Sequence, residues 1–115
     1  VGKASDGWVK AEEMFAPRVS VTTVASSGAA LQTVNDTTFG VTSGIGTKSL
    51  ARANHFRRNA RTGCVMVNLP TAGTDYHVPF GGRGDSSYGP RGQGKAAAEF
   101  YTVVKTAYIS SGTPV

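Results

Sequence analysis

The run Val-Pro-Phe-Gly-Gly at residues 78–82 constrains the fold of this 115-residue chain more than any other stretch. It lies between an apolar run at residues 64–69 and an alanine-rich segment at residues 95–101. Two adjacent glycines after an X-Pro unit predict a backbone that bends sharply and approaches another part of the molecule closely. Any fold for this chain has to place that bend between a strand and a helix.

Signals for strands and helices alternate along the chain, which predicts an α/β fold. β-branched residues favour strands at residues 18–25 and 102–109. Residues 41–46 favour a short strand interrupted by glycine, and the apolar run at residues 64–69 favours a buried strand. Serines that can cap helices precede two of the segments between them, and the alanine run at residues 95–101 predicts a third helix. The expected architecture is a short, largely parallel sheet flanked by helices.

The length of the chain suits one domain and is too short for two. Residues 1–11 show no period and are expected to be an irregular N-terminal segment. Residues 12–115 are expected to form the single domain, which includes a long loop at residues 71–91. Loops of that length usually carry function or are disordered.

One cysteine, Cys64, excludes an internal disulfide framework and is compatible with a reducing compartment. No apolar run approaches the ~20 residues that cross a bilayer. Residues 1–11 lack the pattern of a signal peptide. We therefore expect a cytoplasmic protein without membrane contact. The first residue is Val1 rather than Met, which suggests a processed, truncated or recombinant start.

Six motifs, found in order along the chain, resemble the C-terminal third of the aldehyde dehydrogenase superfamily. Together they make a specific signal, whereas Pro-Phe-Gly-Gly alone would be weak. The motifs are Glu-Glu-Met-Phe-Ala-Pro (12–17), Val-Asn-Asp-Thr-Thr-Phe-Gly (34–40), Gly-Cys-Val-Met-Val-Asn (63–68), Pro-Phe-Gly-Gly (79–82), Ser-Ser-Tyr-Gly-Pro-Arg (86–91) and Phe-Tyr-Thr-Val-Val-Lys-Thr (100–106).

The resemblance implies a piece of the family's catalytic and oligomerisation region. The parent activity is NAD(P)-dependent oxidation of an aldehyde to a carboxylic acid. The stretch at residues 68–77 is most similar to members that act on semialdehydes derived from sugar acids, such as 2-oxoglutarate semialdehyde dehydrogenases. A small aldehyde is thus the implied substrate of the parent enzyme.

The resemblance also implies two cofactor-binding residues. Glu13 would bond the nicotinamide ribose, because a carboxylate accepts paired hydrogen bonds from vicinal hydroxyls. Phe15 would pack near the nicotinamide, because an aromatic edge can hold a flat ring. The alternative is that Glu13 flanks a turn and Phe15 belongs to the core.

The long loop corresponds to the family's substrate-side loop. Asp75, Tyr76 and His77 would line an aldehyde entrance there, and the alternative is a solvated loop whose histidine bonds to backbone. The residues of the implied structural motif are Asn68, Pro79, Phe80, Gly81 and Gly82.

The catalytic groups of the family lie outside the matched region. Its chemistry requires a glycine-rich cofactor fold, a nucleophilic cysteine, a glutamate base and an oxyanion-stabilising asparagine. Cys64 matches a packing position, so we expect a structural thiol. The chain therefore supplies no catalytic residue, and by itself we expect it to be inactive, to bind no NAD or NADP and to hold no metal.

The last predicted strand implies a partner. In the family the final strand reaches a neighbouring subunit, so residues 102–109 would present an unpaired edge in this chain. Unpaired edges promote association between chains. The resemblance therefore implies a homo-oligomer formed through residues 102–109.

A net charge of +5 allows a different function. The segment at residues 49–61 could act as a basic helix in a small binding module for nucleic acid or another anion. No aromatic residues that could stack on bases interleave with its cations, which argues against nucleic acid. The candidate residues are Arg52, His55, Arg57, Arg58 and Arg61.

A repurposed hydrolase is the third hypothesis. The long loop contains the residue types of a Ser-His-Asp triad. It lacks the Gly-x-Ser-x-Gly sequence of a nucleophile elbow, and such residues often occur together by chance. The candidates are Asp75, His77, Asp85, Ser86 and Ser87.

Overall fold

The computed structural model describes residues 12–113. The expectation of an irregular segment at residues 1–11 falls outside this range. The elements, in chain order, are helix α1 (Ser27–Asn35), strand β1 (Thr42–Ile45), helix α2 (Leu50–Asn59), strand β2 (Cys64–Val67), a 3-10 turn (Gly84–Ser86) and helix α3 (Ala96–Tyr101).

Strands β1 and β2 form a two-stranded parallel sheet. The register pairs Thr42 with Cys64 and Ile45 with Val67. A parallel pair needs a crossover connection, because a tight hairpin would make the strands antiparallel. Helix α2 is that connection. The α/β class predicted from the sequence is therefore confirmed.

Serine caps start the two longer helices. The Ser26 hydroxyl accepts a hydrogen bond from the Ala29 amide at 3.1 Å, and the Ser49 hydroxyl accepts one from the Arg52 amide at 3.3 Å. Each cap satisfies one of the backbone donors that the first turn of a helix leaves without a partner. The capping signals in the sequence therefore located both helix starts.

The buried apolar core is small and lies between the helices and one face of the sheet. Leu31 of α1, Phe56 of α2 and Ala60 are its buried apolar residues. Partly buried side chains pack against them from both strands and from α1, and these are Val34, Ile45 and Val65.

The strand predicted at residues 18–25 is wrong. The structure has no strand there, and Val19 and Val21 are 77% and 74% exposed. Residues 102–109 likewise form no strand with any of the residues that the structure describes, and Val104 is 96% exposed. β-branched composition favours extended backbone, but a strand also needs a neighbour to bond with. In the part of the chain that the structure describes, neither segment has one.

None of the helices within residues 12–113 is long and apolar enough to span a membrane.

Phe56→Ala tests how much the fold depends on its small core. Phe56 is 6% exposed, so we expect its loss to lower the free energy of unfolding by about 3–5 kcal/mol. Leu50→Ala is the matched control on the same helix, because Leu50 is 76% exposed and its loss should change that free energy by less than about 0.5 kcal/mol. Urea denaturation followed by circular dichroism measures both. Equal effects of the two substitutions would contradict the assigned core.

Candidate functional site

Three segments of the chain meet at the backbone of Gly40. Its carbonyl oxygen accepts hydrogen bonds from the amides of Gly63 and Arg83, both at 2.9 Å. Its own amide donates to the Ser86 hydroxyl at 2.9 Å. A Cβ atom on Gly40 would lie 2.8 Å from the carbonyl oxygen of Arg61, so only glycine fits. These bonds fix the entry to β1, the start of β2 and the glycine turn relative to one another.

The Gly81–Gly82 turn is packed against the start of β2. A Cβ atom on Gly63 would collide with the carbonyl oxygen of Gly81. The buried Gly82 amide donates to the Ser87 hydroxyl at 2.6 Å, and the Gly82 carbonyl accepts from Nη1 of Arg91 at 2.6 Å. The close backbone approach at residues 78–82 is therefore a contact with the start of β2, held by two side chains from further along the chain.

Asn68 ends β2 and redirects the chain. Its backbone has a positive φ of 56°, which asparagine tolerates better than most residues. Its Oδ1 accepts from the Thr47 amide at 2.7 Å, and its Nδ2 donates to the Thr47 carbonyl at 2.9 Å. The side chain thus joins the exit of β2 to the loop that precedes α2.

The three loop residues of the implied substrate entrance lie at the surface. Asp75, Tyr76 and His77 are all exposed. The Tyr76 and His77 rings meet edge to face, with centroids 5.5 Å apart. The backbone is anchored, because the Tyr76 carbonyl accepts from the Gly94 amide at 3.2 Å. The loop therefore presents two rings and a carboxylate from a fixed backbone.

Glu13 lies beside the Gly40 junction, whereas Phe15 projects away from the core. Glu13 lines a cavity of ≈ 270 Å³ together with hydroxyl-bearing residues and Gly40. Phe15 is 93% exposed and has a positive φ of 26°. The alternative that Phe15 belongs to a core does not hold within the described residues. The hydroxyl-bearing residues that line the cavity with Glu13 are Thr37, Thr42, Ser43, Thr62 and Ser86.

Ser43 and Thr62 form a polar contact that sequence reasoning missed. Their hydroxyl oxygens are 2.7 Å apart, and both residues are buried. The Thr62 hydroxyl also lies within hydrogen-bonding distance of the Cys64 carbonyl. This pair forms part of the wall of the Glu13 cavity. The two residues are separated along the chain by helix α2, so no local signal links them.

The cavity contains polar groups that match one sugar ring. A carboxylate and several hydroxyls can exchange hydrogen bonds with ribose hydroxyls. Its volume is small compared with the 300–1,000 Å³ of pockets that hold drug-sized ligands. The residues present therefore fit the ribose part of a nucleotide. A whole dinucleotide would need additional binding residues.

The serines of the hydrolase hypothesis have structural partners. The Ser86 hydroxyl accepts from Gly40 and the Ser87 hydroxyl accepts from Gly82. His77 makes its ring contact with Tyr76 instead. The geometry therefore assembles no Ser-His-Asp triad among residues 12–113. Over the same residues, no group of three His, Cys, Asp or Glu side chains could hold a metal ion.

The basic residues of the binding-module hypothesis lie on an exposed surface of α2 and just beyond it. Arg52, His55 and Arg58 are all exposed. Arg57 donates to Asn54 on its own helix, at 3.5 Å. Arg61 lines a separate open cavity of ≈ 570 Å³ that also includes Arg83 and excludes Glu13 and the 75–77 loop. This arrangement is that of a solvated helix face.

Comparison with known proteins identifies relatives of this chain. Residues 4–107 match the sequence profile of the aldehyde dehydrogenase family. Alpha-ketoglutaric semialdehyde dehydrogenase from Bacillus subtilis (strain 168) is 35% identical over 105 residues, which is 91% of this chain and 22% of that protein. Alpha-ketoglutarate semialdehyde dehydrogenase from Haloferax volcanii is 41% identical over 100 residues, which is 86% of this chain and 21% of that protein.

A solved structure shares the fold. The crystal structure of an NAD-dependent aldehyde dehydrogenase from Sinorhizobium meliloti superposes with a TM-score of 0.81 at 27% identity. The superposition covers 99% of this chain and 22% of that one. This chain therefore spans about a fifth of the length of the relatives that it matches.

Gly63→Ala tests the contact between β2 and the glycine turn. The added methyl group would overlap the Gly81 carbonyl, which is backbone and has little room to move. We expect the free energy of unfolding to fall by about 1–3 kcal/mol. Gly46→Ala is the control, because no atom lies within 4 Å of its Cβ position, and we expect a change below about 1 kcal/mol. Urea denaturation of both variants measures the two changes. Equal denaturation midpoints for Gly63→Ala and Gly46→Ala would contradict a tight contact between Gly63 and the glycine turn.

Proposed function

The chain belongs to the aldehyde dehydrogenase family, and we propose that it is part of an enzyme that oxidises an aldehyde to a carboxylic acid with NAD or NADP. The observation that carries this proposal is the family match across residues 4–107. The chain covers about a fifth of its relatives, so the activity is that of a larger assembly to which it contributes.

Glu13 is proposed to bind the cofactor's ribose. Its position in a cavity lined by Thr42, Ser43 and Thr62 supports this role, because the groups there suit sugar hydroxyls. NAD or NADP, when bound, accepts the hydride from the aldehyde carbon. Phe15 is proposed to pack on the nicotinamide. Its ring is exposed and does not belong to the apolar core, which supports this role.

The substrate is proposed to be a small semialdehyde that carries a carboxylate. Two of the relatives are named for alpha-ketoglutarate semialdehyde, which is the 2-oxoglutarate compound implied by residues 68–77. Asp75, Tyr76 and His77 are proposed to line the entrance. Their exposure on an anchored backbone supports this role.

The chain alone is proposed to be inactive and to act in the cytoplasm as a homo-oligomer. Cys64 lies on strand β2, paired in register with Thr42, which suits a packing role better than a nucleophile. The exposed segment at residues 102–109 is proposed to pair with a second copy, because it pairs with no strand among the described residues.

A chimera tests the cofactor role. Residues 12–113 replace the matching region of the Bacillus subtilis relative, and NADH formation is followed in the presence of a semialdehyde. Glu13→Ala removes a charged acceptor worth about 1.5–3 kcal/mol, so the KM for NAD should rise roughly 10- to 100-fold. Glu12→Ala, the neighbouring carboxylate, is the control and should leave that KM unchanged. Equal KM values for both variants would exclude Glu13 from the site.

The isolated 115-residue chain is the second arm of the same experiment. Given NAD and an aldehyde, it should form no NADH, since the proposed nucleophile is supplied by the rest of the enzyme. Steady NADH production by this chain would refute the proposal that it is inactive alone.

Proline substitutions test the oligomer. Proline removes a backbone donor, so the double variant Val103→Pro/Val104→Pro should weaken pairing of residues 102–109 with a second copy. We expect the unsubstituted chain to sediment as a dimer or larger species and the variant to shift toward monomer. Val19→Pro/Val21→Pro, in the other exposed segment, is the control. A clean monomer at high concentration for the unsubstituted chain would contradict the proposal.

A further inference from the structure

We propose that a cavity beside the Gly40 junction binds a small molecule through a carboxylate or phosphate group. The cavity has a volume of ≈ 570 Å³, and both Arg61 and Arg83 line it. Pockets that hold small molecules have volumes of roughly 300–1,000 Å³. The dehydrogenase function proposed above involves neither arginine, so this binding is an additional property of the chain and does not rest on that function. The cavity is called the arginine cavity below.

The fold brings the two arginines together from distant parts of the chain. Arg61 lies between α2 and β2, and Arg83 follows the glycine turn. Both approach Gly40, because its Cβ position is 2.8 Å from the Arg61 carbonyl oxygen and 3.5 Å from the Arg83 Cβ atom. Both arginines are exposed and line one cavity. Like charges that share a cavity repel each other, and a bound anion offsets that repulsion.

The Arg61 side of the cavity is fixed to helix α1. Oδ1 of Asn35, the last residue of α1, accepts a hydrogen bond from the Arg61 amide at 2.7 Å. Nδ2 of the same side chain donates to the Asn59 carbonyl at 2.9 Å. Both ends of this amide side chain therefore hold the end of α2 and Arg61 against α1. A binding group held in place before the ligand arrives loses less entropy when it binds.

The Arg83 side of the cavity is fixed to the loop that precedes β1. The Asp85 amide donates to the Thr38 carbonyl at 2.9 Å. Gly84 lies between Arg83 and Asp85 with a positive φ of 56°, and a Cβ atom there would collide with the Thr38 carbonyl oxygen. Only glycine permits this approach. The turn that carries Arg83 is therefore packed against Thr38, which lines the same cavity.

The lining suits a small molecule that has an oxyanion and a short apolar part. The planar guanidinium group of arginine donates paired hydrogen bonds to carboxylate and phosphate oxygens. The exposed Thr38 hydroxyl can donate a further bond to an anion. Val34 and Phe39 are partly buried and add apolar surface to the same cavity.

Asp85 sets the charge balance of the arginine cavity. It is exposed and lines the cavity with the two arginines, so its carboxylate repels a bound anion. Two positive charges against one negative charge leave the lining net positive. Clefts lined mainly by one sign of charge concentrate ions of the opposite sign, so the lining favours an anion over a cation.

Titration of the 115-residue chain tests the proposal. Sodium phosphate and sodium acetate are the two probes, and proton–nitrogen correlation NMR follows the backbone amides. We expect at least one probe to give saturable shifts at Thr38, Phe39 and Gly84, with a Kd on the order of 1 mM for the favoured oxyanion. Gly46 and Gly73 lie outside the cavity and should not shift. Shifts with neither probe, or equal shifts with sodium chloride at matched ionic strength, would overturn the proposal.

Paired charge removals separate the cavity from the overall charge of the chain. Arg61→Gln/Arg83→Gln should raise the Kd of the bound probe at least about tenfold, because the charged donors are lost. Arg57→Gln/Arg58→Gln is the matched control, because it removes the same two charges from the exposed surface of α2. Its Kd should change less than about twofold, since exposed charges are screened by salt. Equal Kd values for the two double variants would overturn the proposal.

Asp85→Asn tests the cavity with both arginines in place, so it decides even where the double variant fails to fold. Asparagine keeps the shape of the side chain and removes the charge that repels an anion. The Kd of the bound probe should therefore fall roughly two- to fivefold, which is the effect of one exposed charge. An unchanged or higher Kd in Asp85→Asn would place the anion away from the arginine cavity and overturn the proposal.

Discussion

The hydrogen bonds at Gly40 hold the structure together. One carbonyl accepts from Gly63 at the start of β2 and from Arg83 after the glycine turn, and the amide donates to Ser86. Within residues 12–113 the buried apolar residues are Leu31, Phe56 and Ala60, which lie away from the glycine turn, so these backbone contacts fix the loops. The cavity beside Glu13 has Gly40 and Ser86 in its wall, so its shape depends on the same junction.

Local signals in the sequence predicted the elements that depend on local physics. Ser26 and Ser49 start helices because a hydroxyl can reach an amide three residues on. The strand near residues 64–69 was predicted because these residues form the most apolar run of the chain, which Pro70 ends. The strand near residues 41–46 was predicted as a short strand interrupted by glycine. In contrast, residues 18–25 have the β-branched composition of a strand but form none. A strand also needs a neighbouring strand to bond with, and the composition of one segment does not reveal whether such a neighbour exists.

The candidate site was only partly predictable for a related reason. The motif resemblance named Glu13 and the turn at residues 79–82, but the contacts that position them join residues far apart in the chain. Ser43 meets Thr62 across helix α2, and Arg91 reaches back to Gly82. No periodicity or spacing encodes such pairs. The glycine turn could be recognised from the sequence. Its close contact with Gly63, through the Gly81 carbonyl, is visible only in the fold.

The two exposed segments at residues 18–25 and 102–109 have one physical cause. Both are rich in β-branched side chains, which favour extended backbone, and within residues 12–113 neither lies beside a strand that could bond with it. Val21 and Val104 are therefore 74% and 96% exposed. The core formed by Leu31, Phe56 and Ala60 contacts Val34, Ile45 and Val65 and reaches neither segment. A strand partner for either segment has to come from outside residues 12–113, which is why pairing with a second copy is proposed for residues 102–109.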